Sequence, residues 1–282
     1  MSLWIEEHHL QQVPQNASPN HGGIFAEGLP DAIVVHFTGG ASAESSVGWL
    51  TNSAAKASAH VVIGRDGGIV QLVPFNVIAW HAGRSSYGGR SGYNRFSIGI
   101  ELDNPGRLRR TEGGRFISHF NRFYEPDDVL SAVHRNESVL SYWLTYTEAQ
   151  LDSCFGLCSA LCATYPIREI LGHEEIAPSR KDDPGPAFPL ERFRQRLIAR
   201  DRHEDGAIEA AQNTCVQAQP GLGRVVASRL NFRSAPGISA ALAAPPLPRH
   251  TLVTLLSERD GWYQVRVDGV IGWLKAEYVR AE

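Results

Sequence analysis

Apolar positions along the 282-residue chain fall into two regimes. Across residues 25–200 short β-branched runs alternate with segments of helical character. Beyond about residue 224 only short strand-like runs remain. The run Ala32 to Val35 is apolar and mostly β-branched and ends at His36, as expected of a buried strand. SAESSVGWLTNSAAK follows, with helical composition and a serine-rich start suited to capping. HVVIGRDGGIVQLV reads as a hairpin turning at Asp66-Gly67-Gly68, where glycine tolerates positive φ. A Gly/Ser/Arg-rich loop, HAGRSSYGGRSGYN, leads to SIGIEL, a short apolar strand carrying one carboxylate, Glu101.

Residues 104–142 are charged and irregular and read as an insertion. Thr147 and Gln150 fit a capping box that opens a helix over TEAQLDSCFGLCSALCATY, closed by Pro166. IREILGH is a further strand, and LERFRQRLIAR a closing helix. Alternating strands and helices predict an α/β domain over residues 25–200. Residues 1–24 read as a polar arm in front of it, and residues 201–223 as an Ala/Gln/Gly-rich linker. ASRLNFRSAP, TLVTLLSE, GWYQVRV and GVIGWLKAEYV, with turn signals between them, predict a small β-barrel over residues 224–282.

Composition is ordinarily globular: 43% hydrophobic, 20% charged, mean hydropathy -0.22. A net charge of -3 and a pI near 6.4 argue against a nucleic-acid partner, which calls for a basic surplus. No apolar run approaches the ~20 residues of a membrane span. The start, MSLWIEEHHLQQ, carries acids where a signal peptide carries bases, so a cytoplasmic address is expected, with periplasmic or extracellular as the alternative. Cys154, Cys158 and Cys162 recur every four residues within the helical pattern and read as small buried apolar residues. Cys215 falls in the linker.

The densest chemistry lies in GHEEIAPSRKDDPGPAF, residues 172–188, which holds His173, Lys181, Asp182 and Asp183 in one loop. Zinc accepts imidazole nitrogen and carboxylate oxygen, and a catalytic zinc keeps three protein ligands and one open position. His173 and Asp183 can supply two, so a third must come from elsewhere among the 11 histidines. His36, at a strand end, is best placed; His60 and His81 are rivals. His8, His9, His21, His119, His134, His203 and His250 lie in segments that read as exposed or peripheral.

VVHFT, SAHVVIGRDGGIVQLV, AWHAG, NRFSIGIEL and GHEEIAPSRKDDPGPAF occur in that order. Together they make residues 25–198 resemble the amidase family that contains phage lysozyme-type amidases, peptidoglycan recognition proteins and bacterial 1,6-anhydro-muropeptide amidases. The resemblance implies a mixed central β-sheet flanked by helices and a Zn2+ ion held by His36, His173 and Asp183. It implies Glu101 as general base and Lys181 as oxyanion stabiliser. The implied reaction is hydrolysis of the amide between the N-acetylmuramoyl (or 1,6-anhydro-N-acetylmuramoyl) lactyl group and L-alanine, in peptidoglycan or muropeptides. Glu101, between apolar neighbours, should be desolvated and its pKa raised. Lys181 would offset negative charge on the tetrahedral oxygen, an effect worth about 3 kcal/mol. His60 is expected in a second layer or lining the groove, Trp80 and His81 facing substrate, and Arg84 and Asn94 hydrogen-bonding peptide or sugar.

Two rival readings differ in their requirements. A non-catalytic peptidoglycan receptor would lack a zinc ligand, and none is missing here. A zinc peptidase cutting within the stem peptide finds no HExxH arrangement to support it. Residues 224–282 resemble a bacterial SH3-like domain through LNFRSAPG, GWYQVRVDGVIGW and AEYV, which implies binding to cell wall or packing on the amidase domain. Trp262, Tyr263 and Trp273 are candidates for a groove there, or for its core. The insertion is expected to be a substrate-shaping flap or a surface excursion.

Overall fold

The computed structural model describes residues 3–198, 221–237, 240–259 and 261–281. Most of the expected linker, with Cys215 and His203, lies outside them. The chain divides into two compact units, Met1–Asp201 and Arg202–Glu282.

The first unit is built on a five-stranded mixed sheet. Its strands are β1 (Ala32–Phe37), β2 (Val61–Ile63), β3 (Ile69–Gln71), β4 (Ser97–Leu102) and β10 (Glu169–Gly172). Their order is β10-β1-β4-β2-β3; every neighbouring pair is parallel except β2 with β3, which form the hairpin around Gly67. Ala32 to His36 are buried without interruption, the pattern of a parallel strand covered on both faces. Helix α1 (Ala43–Leu50) starts at Ser42, whose hydroxyl accepts from the Ser45 N–H. Helix α2 (Glu148–Thr164) starts at Thr147, which exchanges capping bonds with Gln150. Cys154 and Cys158 face inward from α2 and are buried. A short helix α3 (His173–Ile176) and α4 (Leu190–Leu197) complete the unit.

Two expectations need correction. The arm does not stand apart: Leu10 is buried, its N–H donates to Gln71 Oε1, and the Asn16 and Ser18 N–H groups donate to the Gln71 and Leu72 carbonyls. His21–Ile24 pairs with Val77–Ala79. The arm therefore covers the sheet edge at β3, and its polar side chains conceal the backbone bonds that hold it. The insertion is not irregular either. It forms an antiparallel sheet of β5 (Arg107–Arg110), β6 (Phe116–Ile117), β7 (Phe123–Tyr124), β8 (Val129–Val133) and β9 (Leu140–Leu144), in the order β7-β6-β5-β9-β8. Leu108, Phe116, Val129 and Leu144 make its core. Its strands are too short for alternation to stand out from the charges around them.

In the second unit five antiparallel strands carry the order β14-β13-β12-β11-β15: β11 (Gly221–Val225), β12 (Leu252–Arg259), β13 (Trp262–Val267), β14 (Val270–Lys275) and β15 (Val279–Ala281). Val225, Phe232, Val253, Val265 and Leu274 are buried between them, and Trp262 is buried as well. Among the described residues no helix is long and apolar enough to cross a membrane.

Candidate metal centre and active site

Sheet register assembles the site. Glu101 of β4 is the direct neighbour of His36 on β1, so the two side chains leave the same face. On the other side of β1, Gly172 of β10 pairs with Val35, which sets His173 beside His36 as β10 passes into α3. Three chemical residues thus gather at the carboxyl ends of three adjacent parallel strands, where α/β sheets place their sites. Asp183 closes the group from the loop after α3, and the Glu174 N–H donates to the Asp183 carbonyl at 2.7 Å.

His36 Nδ1, His173 Nδ1 and Asp183 Oδ2 lie 2.9, 2.9 and 3.0 Å apart, and all three residues are buried. Fixed backbone acceptors determine where the imidazole protons sit. His173 Nε2 faces the Ala82 carbonyl at 3.1 Å, so that nitrogen carries the proton. His81 Nε2 faces the Ser97 carbonyl at 3.2 Å and donates there, leaving its Nδ1 an acceptor for His36 Nε2 at 3.0 Å. With both Nε2 atoms donating, both Nδ1 atoms present lone pairs, and they point at each other and at a carboxylate oxygen. Burial, then the His173 neighbour, lowers the His36 pKa to about 4, so protonation does not relieve the clustering. Three converging acceptor atoms with outward nitrogens anchored fit a divalent cation of the zinc type.

Glu101 stands beside this cluster with Oε2 buried and, among the described residues, without a hydrogen-bond partner. Burial first and Asp183 second push its pKa up to about 8, against the pull of Lys181. Glu101 also lines a cavity of about 130 Å³ with Thr38, Gly40, Ser45, Ser46 and Trp49. Lys181 is half-buried, and its charge is felt at both Glu101 and His36.

The structure redistributes the other candidates. His60 is not at the groove: it is fully buried, its Nε2 donates to the Val77 carbonyl, its Nδ1 accepts from the Gly99 N–H, and Phe25 and Phe75 stack on it. His81 Nδ1 accepts from His36 Nε2, and Gly99 makes room for it, since a Cβ there would overlap the His81 ring. Asn94 Oδ1 accepts from the His81 and Ala82 N–H groups, holding the turn that supplies these contacts, so that oxygen is committed to the fold. Arg84 is exposed on a separate cleft of about 450 Å³ with Arg180 and Ser179, and Trp80 is half-buried. Asp182 pairs with Arg107 of the insertion at 3.4 Å.

Three residues escaped the sequence reading. Arg180 donates to the Ala82 and Arg84 carbonyls, tying the ligand loop to the turn behind His173. His134, expected to be peripheral, is buried and bonded to Glu174 at 2.6 Å. The only sequence signal was the proximity of Arg180 and Glu174 to the ligands; nothing local marks His134.

Residues 27–186 match the family of N-acetylmuramoyl-L-alanine amidases. The 1,6-anhydro-N-acetylmuramyl-L-alanine amidase AmpD of Salmonella typhimurium (strain SL1344) is 40% identical over 152 residues, 53% of this chain and 62% of that protein. The N-acetylmuramoyl-L-alanine amidase AmiD of Escherichia coli (strain K12) is 33% identical over 175 residues, 59% of this chain and 52% of its own length. The chain thus spans less than two thirds of the curated relatives it matches. Among solved structures, a selenomethionine derivative of AmpD is similar at 32% identity and a TM-score of 0.49, covering 69% of this chain and 98% of that one. Escherichia coli AmiD, solved with anhydro-N-acetylmuramic acid-L-Ala-D-γ-Glu-L-Lys, is similar at 27% identity and a TM-score of 0.46, covering 70% and 66%.

Proposed function

The chain belongs to the N-acetylmuramoyl-L-alanine amidase family, and on that premise we propose that it hydrolyses the amide between the (1,6-anhydro-)N-acetylmuramoyl lactyl group and L-alanine, with zinc as cofactor. The observation that carries this reading is the set of three buried acceptor atoms at 2.9–3.0 Å, adjacent in register to a desolvated carboxylate. His36, His173 and Asp183 would hold the ion, which when bound supplies a Lewis acid and brings the pKa of water to about 7. Glu101 accepts the proton of the attacking water and returns it to the departing alanine nitrogen; the raised pKa suits it to both transfers. Lys181 places positive charge where the tetrahedral oxygen turns negative.

A receptor that binds without cutting would have no use for a buried carboxylate whose Oε2 lacks a partner among the described residues, beside three candidate ligands, which favours the enzyme. We extend the reading to soluble muropeptides as substrate and a cytoplasmic address, on the strength of the anhydro-muropeptide relatives. Trp80 and Arg84 remain in it as peptide or sugar contacts, and residues 224–282 as an SH3-like module that binds cell wall or packs on the amidase domain. Mass spectrometry of digests, run in parallel on anhydro-muropeptides and on intact sacculi, reports the bond cut and the preferred substrate. Release of stem peptides with a free L-alanine amine is expected; cleavage only within the stem would overturn the reading. Asp183→Ala should abolish both zinc retention and turnover, and full turnover in that variant, or after chelation, would remove the metal from the mechanism.

A further inference from the structure

Residues flanking both candidate ligands of the 173–185 segment, Glu174, Asp182 and Gly185, are contacted by the insertion and its last strand. Glu174 immediately follows the ligand His173, and its carboxylate is buried. Glu174 Oε2 accepts from His134 Nε2 at 2.6 Å and from the Gly185 N–H at 3.1 Å. His134 Nδ1 accepts from the Asn136 N–H, so the Nε2 proton is committed to Glu174. Asn136 Nδ2 donates to the Glu174 carbonyl at 2.9 Å. One carboxylate therefore spans from the residue after His173 to the turn two residues beyond Asp183, and the insertion holds it at the middle.

Packing reinforces this bridge. His134 stacks on the buried Trp143 ring at 5.5 Å, and that ring lies where a Cβ on Gly185 would come within 3.0 Å. Gly185 has φ +73, so the turn after Asp183 is shaped to the indole and leaves no room for a side chain. Arg107 covers the Trp143 ring and reaches Asp182 at 3.4 Å.

We infer that the insertion is a brace for the metal centre, with His134 as a positioning residue acting through Glu174 on the spacing of His173 and Asp183. It rests on the zinc reading above. Groups behind metal ligands commonly shift affinity by about 10–100-fold when removed, because the ligands lose a fixed geometry rather than their donor atoms.

The test measures zinc affinity of the full chain by competition with a chromophoric chelator, alongside thermal unfolding of the metal-free protein. His134→Leu keeps the bulk against Trp143 but has no donor; it should bind zinc about 10–100-fold more weakly. His134→Gln, whose amide can donate to Glu174, should recover most of that loss. Arg110→Ala, an exposed change on the same sheet away from the loop, should leave affinity unchanged. If His134→Leu fails to fold, Asn136→Ala, at an exposed position, still tests the brace and should weaken binding by about tenfold, at the low end of such effects. Parental affinity in His134→Leu, with only the unfolding temperature lowered, would overturn the brace and leave the zinc reading standing. A parent chain that binds no zinc would overturn both.

Discussion

The central sheet and the insertion sheet lie in one unit, yet they hold the active site by different means. In the central sheet, backbone pairing does the placing: Glu101 is opposite His36 because β4 and β1 are in register, and a slip of one residue would turn one of them to the other face. In the insertion sheet, side chains do it: His134, Asn136, Trp143 and Arg107 reach from strands and turns to a loop they do not pair with. Register places the proposed base Glu101 and two candidate ligands, His36 directly and His173 through the pairing of Gly172 with Val35. Side-chain bracing acts on the loop between α3 and α4, which carries the third candidate ligand, Asp183, and has no sheet of its own.

This contrast can be broken at several points. Glu101→Gln should lower kcat by about 10²–10⁴ while zinc content stays at parental stoichiometry, as expected for loss of a general base from an intact scaffold. Turnover near the parental level would sever the link between strand register and chemistry. Lys181→Met removes charge from the braced loop and should cost about 10²–10³ in kcat with zinc still bound; an effect confined to KM would move Lys181 from the transition state to substrate binding.

The smallest effect is the most diagnostic of burial. Glu101 must be ionised to accept a proton, and burial raises its pKa, so kcat should fall with decreasing pH from well above the usual carboxylate range. The proposed ion, when bound, would add positive charge nearby and draw that limb downward from about 8. Zinc content followed over the same pH range separates loss of the base from loss of the ion. An acid limb at the ordinary glutamate value, with zinc retained, would mean that Glu101 is solvated during turnover.

Much of the site was legible in the sequence where function and local pattern coincide. The buried run ending at His36, the SIGIEL strand and the Pro- and Gly-punctuated loop holding His173 and Asp183 each carry their own signal, and the Thr147–Gln150 cap is written in two residues. The arm and the insertion were misjudged for one shared reason. Their stability comes from backbone bonds to distant partners, such as Asn16 with Gln71, and from single apolar residues such as Leu108 and Phe116, which a local window cannot weigh.

The histidines divide along the same line. Sequence alone determined that His36, His173 and Asp183 are chemically able to bind a metal and that Glu101 sits among apolar neighbours. Only tertiary structure decided which nitrogens carry protons, because that depends on the Ala82 and Ser97 carbonyls. The same fold sent His60 to the core, turned His81 toward His36, and brought His134 to Glu174 across 40 residues of chain. A side chain's chemistry is intrinsic to the residue, whereas its proton, its partner and its orientation belong to whatever the fold places against it.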